Sequence, residues 1–208
     1  MSDVTILGLP PSSYVRSARM VATLKGVSHT LQPVDFRAEA YRQEHPFGKM
    51  PVLHHGTVRL FETLAIATYL DETFEGPALQ PTTPLGRARM LQWISVTNDD
   101  IYSTVVNRCV AERFIKPMRG LEPDEKILAE ALPDITRQLA VLNEALNDGP
   151  YICGPQLTLA DIFLAPVLHY LAATPEGKST LPAAPNVLRW QEKMQQTTDF
   201  EMINALGS

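Results

Sequence analysis

Two short segments of this sequence carry residue types suited to holding a small peptide. The first segment reads Pro46-Phe47-Gly48-Lys49-Met50-Pro51-Val52-Leu53. A proline between an extended run and a short strand favours a cis bond between Met50 and Pro51, which turns the preceding backbone N–H and C=O outward. An extended ligand can pair with those groups as an added strand. The segment therefore predicts a docking site for an extended peptide.

The second segment is Phe61-Glu62-Thr63, at the start of a helical pattern that continues to Leu70. A carboxylate beside the free N–H groups of a helix N-terminus can hold an ammonium and a carboxylate together. Those are the two charges of an α-amino acid head group. Together, the two segments indicate a small peptide that carries such a head group.

Composition and charge exclude several other classes of partner. The chain has 208 residues, enough for one large or two small domains, with 45% hydrophobic and 20% charged residues. A net charge of -5 without a basic run argues against binding to nucleic acid or an anionic membrane. No signal peptide is recognisable at the start, and the apolar stretch 157–173 is too short and too interrupted to span a bilayer. We expect a cytoplasmic protein with small partners.

Neither the cysteines nor the paired histidines form a metal-binding pattern. Cys109 and Cys153 are far apart and outside any Cys-x-x-Cys pair, so we interpret them as reduced structural thiols. His54 and His55 are adjacent in a predicted strand, where successive side chains point to opposite faces. We therefore expect no metal site.

A stretch rich in proline and glycine separates two parts of the chain. Residues 75–86 hold three prolines and two glycines, which suit neither a helix nor a central strand. We predict a first domain over residues 1–75, a linker over 76–86 and a second domain over 87–208.

The first domain alternates between β-like and helical patterns. Strands are predicted at 4–7 and 31–34, the second near a sheet edge because it contains Pro33. A helix ending at Gly26 lies between them, and a short polar helix follows at 37–44. Residues 52–60 form a predicted hairpin turning at Gly56, before the helix that begins near Thr63. The order β-α-β-α-β-β-α describes an α/β domain.

The second domain shows no convincing strand pattern. Apolar residues recur at helical spacing over 87–115, 123–147 and 186–194. Thr158 and Asp161 have the spacing of a capping box, and the helix that they open is apolar nearly all round. Such a helix must be central. We predict an all-helical C-terminal domain.

This combination resembles the cytosolic glutathione transferases along the whole chain, in the form of a serine-type, bacterial-like member without an assigned class. The resemblance is carried by the residues 49–53, by Glu62-Thr63, by the turn Ser12-Ser13-Tyr14-Val15-Arg16 and by the Thr158 to Asp161 capping box. It implies a thioredoxin-like first domain that binds glutathione, with no metal. Glutathione is an extended tripeptide with an amino acid head, which agrees with the residue types in the two segments.

The resemblance also implies how glutathione is held. Glu62 and Thr63 would hold the γ-glutamyl group, and the backbone of Met50 would pair with the cysteinyl part beside Pro51. Lys49 would neutralise the glycyl carboxylate. The sequence departs from the family at two positions: Thr63 stands where serine is usual and keeps the hydroxyl, and His45 stands where asparagine is common. We expect His45 to be structural.

The chemical step requires a thiolate, and an ordinary thiol with a pKa of about 8.5 is mostly protonated at neutral pH. A hydroxyl at a helix N-terminus can stabilise the anion through a charge-assisted hydrogen bond and the helix dipole. Ser12 and Ser13 are the candidates, and relatives with serine pairs at this turn favour Ser12. Tyr14 is a weaker candidate because it should already lie inside the helix. A plain N-cap is the alternative role for Ser12.

The resemblance places the second substrate, a small apolar electrophile, between the Ser12 turn and the long helix of the second domain. Tyr102 and Val105 are the candidate pocket residues, on one helix face with three others, Asn98, Ile101 and Cys109. Core packing explains the apolar members of this face equally well. The resemblance also implies a homodimer, in which Asp99 or Asp100 reaches the glutathione amine of the partner subunit.

Two other functions remain open from the sequence. One is a glutathione-dependent cis-trans isomerase of the zeta type, although Tyr14 and Val15 stand where that class usually has cysteine and serine. The other is a non-catalytic interaction module with the same fold, such as the stringent starvation proteins. Such a module would not need Lys49, Glu62 and Thr63.

Overall fold

The computed structural model describes residues 4–197, with side chains through residue 196. The sequence interpretations that fall on residues 1–3 and 198–208, the start of the chain and the end of the predicted helical domain, lie outside the described residues. Contacts divide the chain between Gln80 and Pro81 into two compact units. Each unit is described by itself.

The first unit is built on a four-stranded mixed sheet. Its strands are β1 (Val4–Leu7), β2 (His29–Gln32), β3 (Val52–His55) and β4 (Val58–Phe61), and its helices are α1 (Ser13–Leu24) and α2 (Thr63–Thr73). The sheet order is β2-β1-β3-β4, in which β1 pairs parallel with β2 and antiparallel with β3. Strands β3 and β4 form the antiparallel hairpin. The sheet and its helices match the predicted thioredoxin-like order.

Local sequence explains where the strands end. Strand β2 stops at Gln32 because Pro33 has no backbone N–H to continue the ladder, and β2 lies at the predicted sheet edge. The hairpin turns at Gly56, which has a φ of 60°. The predicted polar helix at 37–44 is a five-residue 3-10 helix, Glu39–Gln43, in which Tyr41 alone is buried. Such a short segment has too little apolar surface to support a full α-helix.

A buried ion pair connects the two helices of the first unit. Lys25 Nζ lies 3.1 Å from Asp71 Oδ1, and both side chains are almost fully buried. The Lys25 ammonium also donates to the Pro77 carbonyl at 3.1 Å, and the Leu79 N–H donates to Asp71 at 3.0 Å. These bonds tie the end of α1 to α2 and to the chain that follows α2.

The second unit is helical. Its helices are α3 (Pro84–Val96), a π-helical segment (Thr97–Ile115), α4 (Lys116–Met118), α5 (Glu125–Ala145), α6 (Leu159–Ala173), α7 (Pro175–Thr180) and α8 (Pro185–Thr197). The first three are continuous, and the Lys116 N–H donates to the Ala111 carbonyl five residues earlier. Within residues 81–197 the extended structure is confined to one bridge between Tyr151 and Gly154. The all-helical prediction for this part of the chain is confirmed.

Helical structure begins earlier than the sequence predicts. Helix α3 starts at Pro84, inside the predicted linker 76–86, because Thr83 caps it by accepting from the Gly86 N–H at 3.1 Å. Proline suits the first helical position, where its missing N–H has no partner to lose. The sequence also does not predict the short helix α7.

Helix α6 is the centre of the second unit, and its predicted capping box is present. The Asp161 carboxylate accepts from the Thr158 N–H at 3.0 Å and from the Ile152 N–H at 2.8 Å. Trp190 on α8 donates its indole N–H to the same carboxylate at 2.9 Å. Burial raises the pKa of Asp161, and these donors oppose that shift. Asp161 therefore joins the start of α6 to the preceding loop and to α8.

Among residues 4–197, no helix combines the length and the apolar character needed to cross a lipid bilayer.

Candidate functional site

One row of paired residues crosses the sheet, and each residue of the row adjoins one of the three candidate segments. Leu7 at the end of β1 pairs with Val52 at the start of β3, and Val52 pairs with Phe61 at the end of β4. The serine turn follows β1, Pro51 directly precedes β3, and Glu62 directly follows β4. Because both neighbours of β3 run antiparallel to it, the three segments emerge at the same end of the sheet.

A hydrogen bond joins the serine turn to the segment around Pro51. The Leu9 N–H donates to Met50 Sδ at 3.3 Å, and the Leu9 carbonyl accepts from the Ser12 N–H at 3.1 Å. The Met50–Pro51 peptide bond is cis, as the sequence predicts. The backbone of the serine turn and the side chain of Met50 are therefore in direct contact.

Ser12 is the N-cap of α1. Its backbone is extended, with φ −70° and ψ 124°, and its Oγ accepts from the Val15 N–H at 3.4 Å. A hydroxyl that accepts a hydrogen bond can still donate its own proton. The capping role is thus present and leaves the O–H of Ser12 available to an anion near the helix N-terminus.

The other hydroxyls of this turn occupy different positions. Ser13 is the first residue of α1 and is buried, and its carbonyl accepts from the Ser17 hydroxyl at 3.2 Å. Tyr14 lies inside the helix, as predicted. Of the two serines, Ser12 is the more exposed.

Arg16 lies in the turn that presents Ser12. The sequence leaves two roles open for it, a source of positive field near the sulfur or a surface or interface residue, and its burial excludes the surface position. Its side chain is fully buried, and its Nε donates to the Pro10 carbonyl at 3.2 Å. Arg16 therefore braces the turn that presents Ser12. No local pattern signals this role, because it depends on how the turn folds back onto α1.

Glu62 and Thr63 meet at the N-terminus of α2. Glu62 is exposed, with φ 70° and ψ 119°, and among residues 4–197 it is the one non-glycine residue with a positive φ. Its carbonyl accepts from the Ile66 N–H at 3.0 Å, while Thr63 is buried as the first residue of the helix. A positive φ in a residue with a Cβ is a local strain of the kind that accompanies ligand sites.

His45 lies between the two candidate segments. The residue is 2% exposed, and its ring lies 4.9 Å from the ring of Phe61, centroid to centroid. Its Nδ1 accepts from the Phe47 N–H at 3.2 Å. Burial lowers the pKa of His45; Glu62 raises it and Lys49 lowers it. Lys49 and Glu62, the two charged candidates for ligand binding, therefore both influence the pKa of the His45 imidazole.

The charges around His45 suit a zwitterionic ligand with a further carboxylate. Lys49 and Glu62 have opposite charges, and both side chains are exposed. The carboxylate of Glu62 can pair with an ammonium, and the ammonium of Lys49 with a carboxylate. Met50 and Pro51 lie directly beside Lys49 in the chain. Lys49, Met50, Pro51, Glu62 and Thr63 thus belong to segments that emerge at one end of the sheet.

The adjacent histidines of β3 have separate partners. His54 Nε2 lies 2.8 Å from Glu44 Oε2, whereas His55 Nδ1 lies 2.8 Å from the Tyr69 hydroxyl. Their contacts agree with the alternation of side chains along a strand. Within residues 4–196, no group of three or more His, Cys, Asp and Glu side chains is arranged to hold a metal ion.

The candidate electrophile residues lie on the π-helical segment of the second unit, which packs on α5 and α6. Tyr102 is half-buried and Val105 is 1% exposed. Cys109, on the same predicted face, is fully buried and lies 3.5 Å from Glu176 Oε2, and burial raises the pKa of its thiol to about 11. Cys109 is therefore an unreactive structural thiol.

Asp99 and Asp100, the acids considered for the glutathione site of a partner subunit, are both exposed. Asp99 and Asp100 lie near the start of the π-helical segment. The side-chain amide of Gln138 donates to the Asp100 carbonyl at 3.2 Å and to the Thr104 hydroxyl at 3.0 Å. Gln138 therefore binds this part of the π-helical segment to α5.

Comparisons with known proteins identify the family of this chain. Residues 7–78 match the family described as glutathione S-transferase, N-terminal domain, and residues 125–192 match its C-terminal domain. A glutathione S-transferase of Hyoscyamus muticus is 33% identical over 181 residues, which cover 83% of this chain and 84% of the relative.

Solved structures of the same family superpose on the chain. Glutathione S-transferase III in its apo form has a TM-score of 0.87 at 27% identity and covers 100% of both chains. The theta class glutathione S-transferase of Xanthomonas axonopodis pv. citri, with glutathione bound, has a TM-score of 0.76 at 29% identity, covering 94% of this chain and 93% of that one. The chain belongs to the glutathione S-transferase family.

Proposed function

We propose that this protein is a glutathione transferase that activates the glutathione thiol for attack on a small apolar electrophile. The observation that carries the proposal is the row Leu7–Val52–Phe61, which brings the serine turn, the Met50–Pro51 segment and Glu62 to one end of the sheet. The bound glutathione in the Xanthomonas relative supports the choice of ligand.

Glutathione has a charge pattern that fits the residues at this end. Its γ-glutamyl head carries an ammonium and a carboxylate, for which Glu62 and the N-terminus of α2 at Thr63 are suited. The main chain of Met50, next to Pro51, is the candidate partner for the cysteinyl part. The ammonium of Lys49 is the candidate partner for the glycyl carboxylate.

Ser12 is the proposed catalytic residue, with Ser13 as the alternative. The Ser12 O–H donates to the glutathione sulfur, and the N-terminus of α1 adds a favourable dipole. Lowering the thiol pKa by about two units takes on the order of 2.7 kcal/mol of selective stabilisation of the thiolate. The thiol proton leaves to solvent, the sulfur forms a bond to the electrophilic carbon, and the leaving group departs with its bonding electrons.

Tyr102 is the proposed contact to the electrophile, and Val105, which is 1% exposed, is proposed only as a buried part of the pocket wall. Tyr102 offers a ring and a hydroxyl on the π-helical segment, and Val105 lies near it on the same segment. If Tyr102 contacts the second substrate, Tyr102→Ala should raise the KM for an aryl halide and leave the KM for glutathione unchanged. A matched change at Ser103, an exposed neighbour, should alter neither constant.

The wider role follows from the family. We propose a homodimer that works in the cytoplasm in the detoxification of electrophiles, with Asp99 or Asp100 directed to the glutathione of the partner subunit. Sedimentation equilibrium tests the dimer directly, and a monomer at all accessible concentrations would exclude it. Asp99→Asn and Asp100→Asn, measured separately for glutathione affinity, test the contribution of the partner.

Binding of glutathione is the first experiment. The protein should be retained on immobilised glutathione, be released by free glutathione and give a saturable calorimetric titration. Glu62→Gln should weaken binding strongly, whereas Glu75→Gln, an exposed acid beyond the end of α2, should bind normally. Failure to bind would favour the interaction module. An aryl halide assayed beside a maleyl keto acid separates transferase from isomerase activity.

A further inference from the structure

His45 accepts a hydrogen bond from the residue two positions ahead of it. The Phe47 N–H donates to His45 Nδ1 at 3.2 Å. A ring nitrogen accepts only when it carries no proton, so this bond requires a neutral His45 with its proton on Nε2. A side chain that binds the N–H two residues ahead forms the turn usually made by asparagine or aspartate. Here a titratable group makes that turn.

Two further backbone bonds anchor the same loop, which we define as residues 46–50. The His45 N–H donates to the Tyr41 carbonyl at 3.0 Å, and the His45 carbonyl accepts from the Gly48 N–H at 2.8 Å. Gly48 has a φ of 61°, a conformation that glycine adopts without steric cost. The loop therefore begins at His45 and leads directly to Lys49 and Met50.

The imidazole is also held from its other sides. Its ring lies 4.9 Å from Phe61 and 6.2 Å from Phe47, the latter in an edge-to-face arrangement. Phe61 directly precedes Glu62, so the ring packs between the 46–50 loop and the start of α2. A proton added at Nδ1 abolishes the bond from the Phe47 N–H and leaves a cation in an almost dry position.

The charged groups that face His45 have opposite effects. Glu62, at the start of α2, favours the imidazolium, and Lys49, in the loop, disfavours it. Tyr41, on the preceding 3-10 helix, stays neutral because burial raises the pKa of its phenol. Glu44 is in contact with His54 and Arg59. Burial is the largest effect and lowers the pKa of His45 below its ordinary value of about 6.5.

We infer that His45 is a positioning residue whose protonation releases the 46–50 loop, so that glutathione binding weakens as the solution becomes acidic. The inference rests on the proposed function, because it assigns Lys49 and Met50 to the glutathione site. An asparagine at this position would offer the same acceptor to the Phe47 N–H without titrating. The pH dependence is therefore a property of the histidine.

The test compares glutathione affinity between pH 7 and pH 5 by calorimetry for three proteins. For the unaltered protein, Kd should rise by about threefold or more over this range, with a slope of at most one proton. His45→Asn keeps the acceptor for the Phe47 N–H, so its Kd should match the unaltered protein at pH 7 and stay nearly constant down to pH 5. His45→Ala should have a raised Kd at every pH.

Matched measurements separate this inference from other effects. His54→Asn, a change at a histidine that contacts Glu44 instead of the loop, should retain the full pH dependence. Glu62 and Lys49 are unchanged in all the variants, so their contribution is common to every protein compared. Ring nitrogen shifts of His45 by NMR should show the Nε2–H tautomer at pH 7 and the imidazolium at low pH.

The possible outcomes distinguish the two proposals. If the unaltered protein binds no glutathione at any pH, the proposed function fails. If it binds with a constant Kd, binds more tightly in acid, or keeps its pH dependence in His45→Asn, the role of His45 is overturned. The asparagine variant and the unaltered protein suffice for this decision if His45→Ala does not fold.

Discussion

The backbone N–H of Leu9 donates to the sulfur of Met50 at 3.3 Å, across 41 positions of sequence. This bond links the loop that presents Ser12 to the segment that precedes β3. The register of Leu7 against Val52 places these two segments of the chain side by side, and the hydrogen bond from Leu9 to Met50 holds them there. Ser12, the proposed donor to the glutathione sulfur, and the Met50 backbone, the proposed partner of the cysteinyl part, therefore belong to segments that are bonded to each other.

Replacing Ser12 should separate catalysis from helix capping. Ser12→Gly removes the hydroxyl but costs only a few tenths of a kcal/mol as an N-cap. We expect kcat for conjugation to fall about tenfold or more, on the order of 1.4 kcal/mol, with little change in glutathione Kd. Ser12→Thr should restore most of the rate. The pKa of bound glutathione, followed by ultraviolet absorbance of the thiolate, should rise in Ser12→Gly.

Two controls complete the Ser12 experiment. Thr83→Ala removes a comparable cap at α3 and should lower stability without changing the bound thiol pKa. Ser13→Ala should leave the rate near that of the unaltered protein. An equal loss of rate in Ser13→Ala alone would transfer the catalytic role to Ser13.

Two substitutions of Glu62 should separate the strain in its backbone from the ligand contact of its carboxylate. Its φ of 70° favours glycine over any residue with a Cβ. In urea denaturation, we expect Glu62→Gly to be about 1 kcal/mol more stable than Glu62→Ala, a reversal of the usual helix preference. Both variants should bind glutathione poorly because they lack the carboxylate. Equal stability of the two would argue against the strained backbone, and normal binding would argue against the assigned ligand contact.

Breaking the Lys25–Asp71 pair should destabilise the first unit strongly. Asp71→Asn keeps an acceptor for the Leu79 N–H but leaves the buried ammonium of Lys25 without its counter-charge. We expect a loss of about 3–5 kcal/mol in the free energy of unfolding. The double variant Lys25→Met/Asp71→Asn should recover much of it. Substitution in the exposed pair Arg42–Glu39 should cost about 1 kcal/mol or less.

Glu112 should contribute to the acid sensitivity of the second unit. The Lys116 ammonium at 2.7 Å and the Asp124 N–H at 2.7 Å hold the pKa of this buried carboxyl below its usual value. Its stabilising contribution is complete above the unfolded pKa of about 4.3 and is lost as pH falls through the lower folded pKa. Glu112→Gln should flatten the acid side of a stability profile measured by urea denaturation. Glu130→Gln, at an exposed position, should leave that profile unchanged.

Much of the fold could be predicted because its signals are local. Pro33 ends β2, Gly56 turns the hairpin, and Thr158 with Asp161 caps α6, each through the chemistry of one or two side chains. Ser12 was predictable as a residue at a helix N-terminus for the same reason. The exact start of α3 was not, because Thr83 and Pro84 begin a helix within a stretch whose composition indicates a linker.

The sequence by itself predicted the element order of the first unit, the cis bond before β3 and the functional groups that Ser12, Lys49 and Glu62 offer to a ligand. Only the tertiary structure decided which of these groups emerge together, because strand register depends on contacts between residues distant in the chain. It also buried Arg16 behind the serine turn and placed His45 against Phe61. Burial and charge environment are properties of packing, so the lowering of the His45 pKa by burial could not be predicted from its neighbours in sequence.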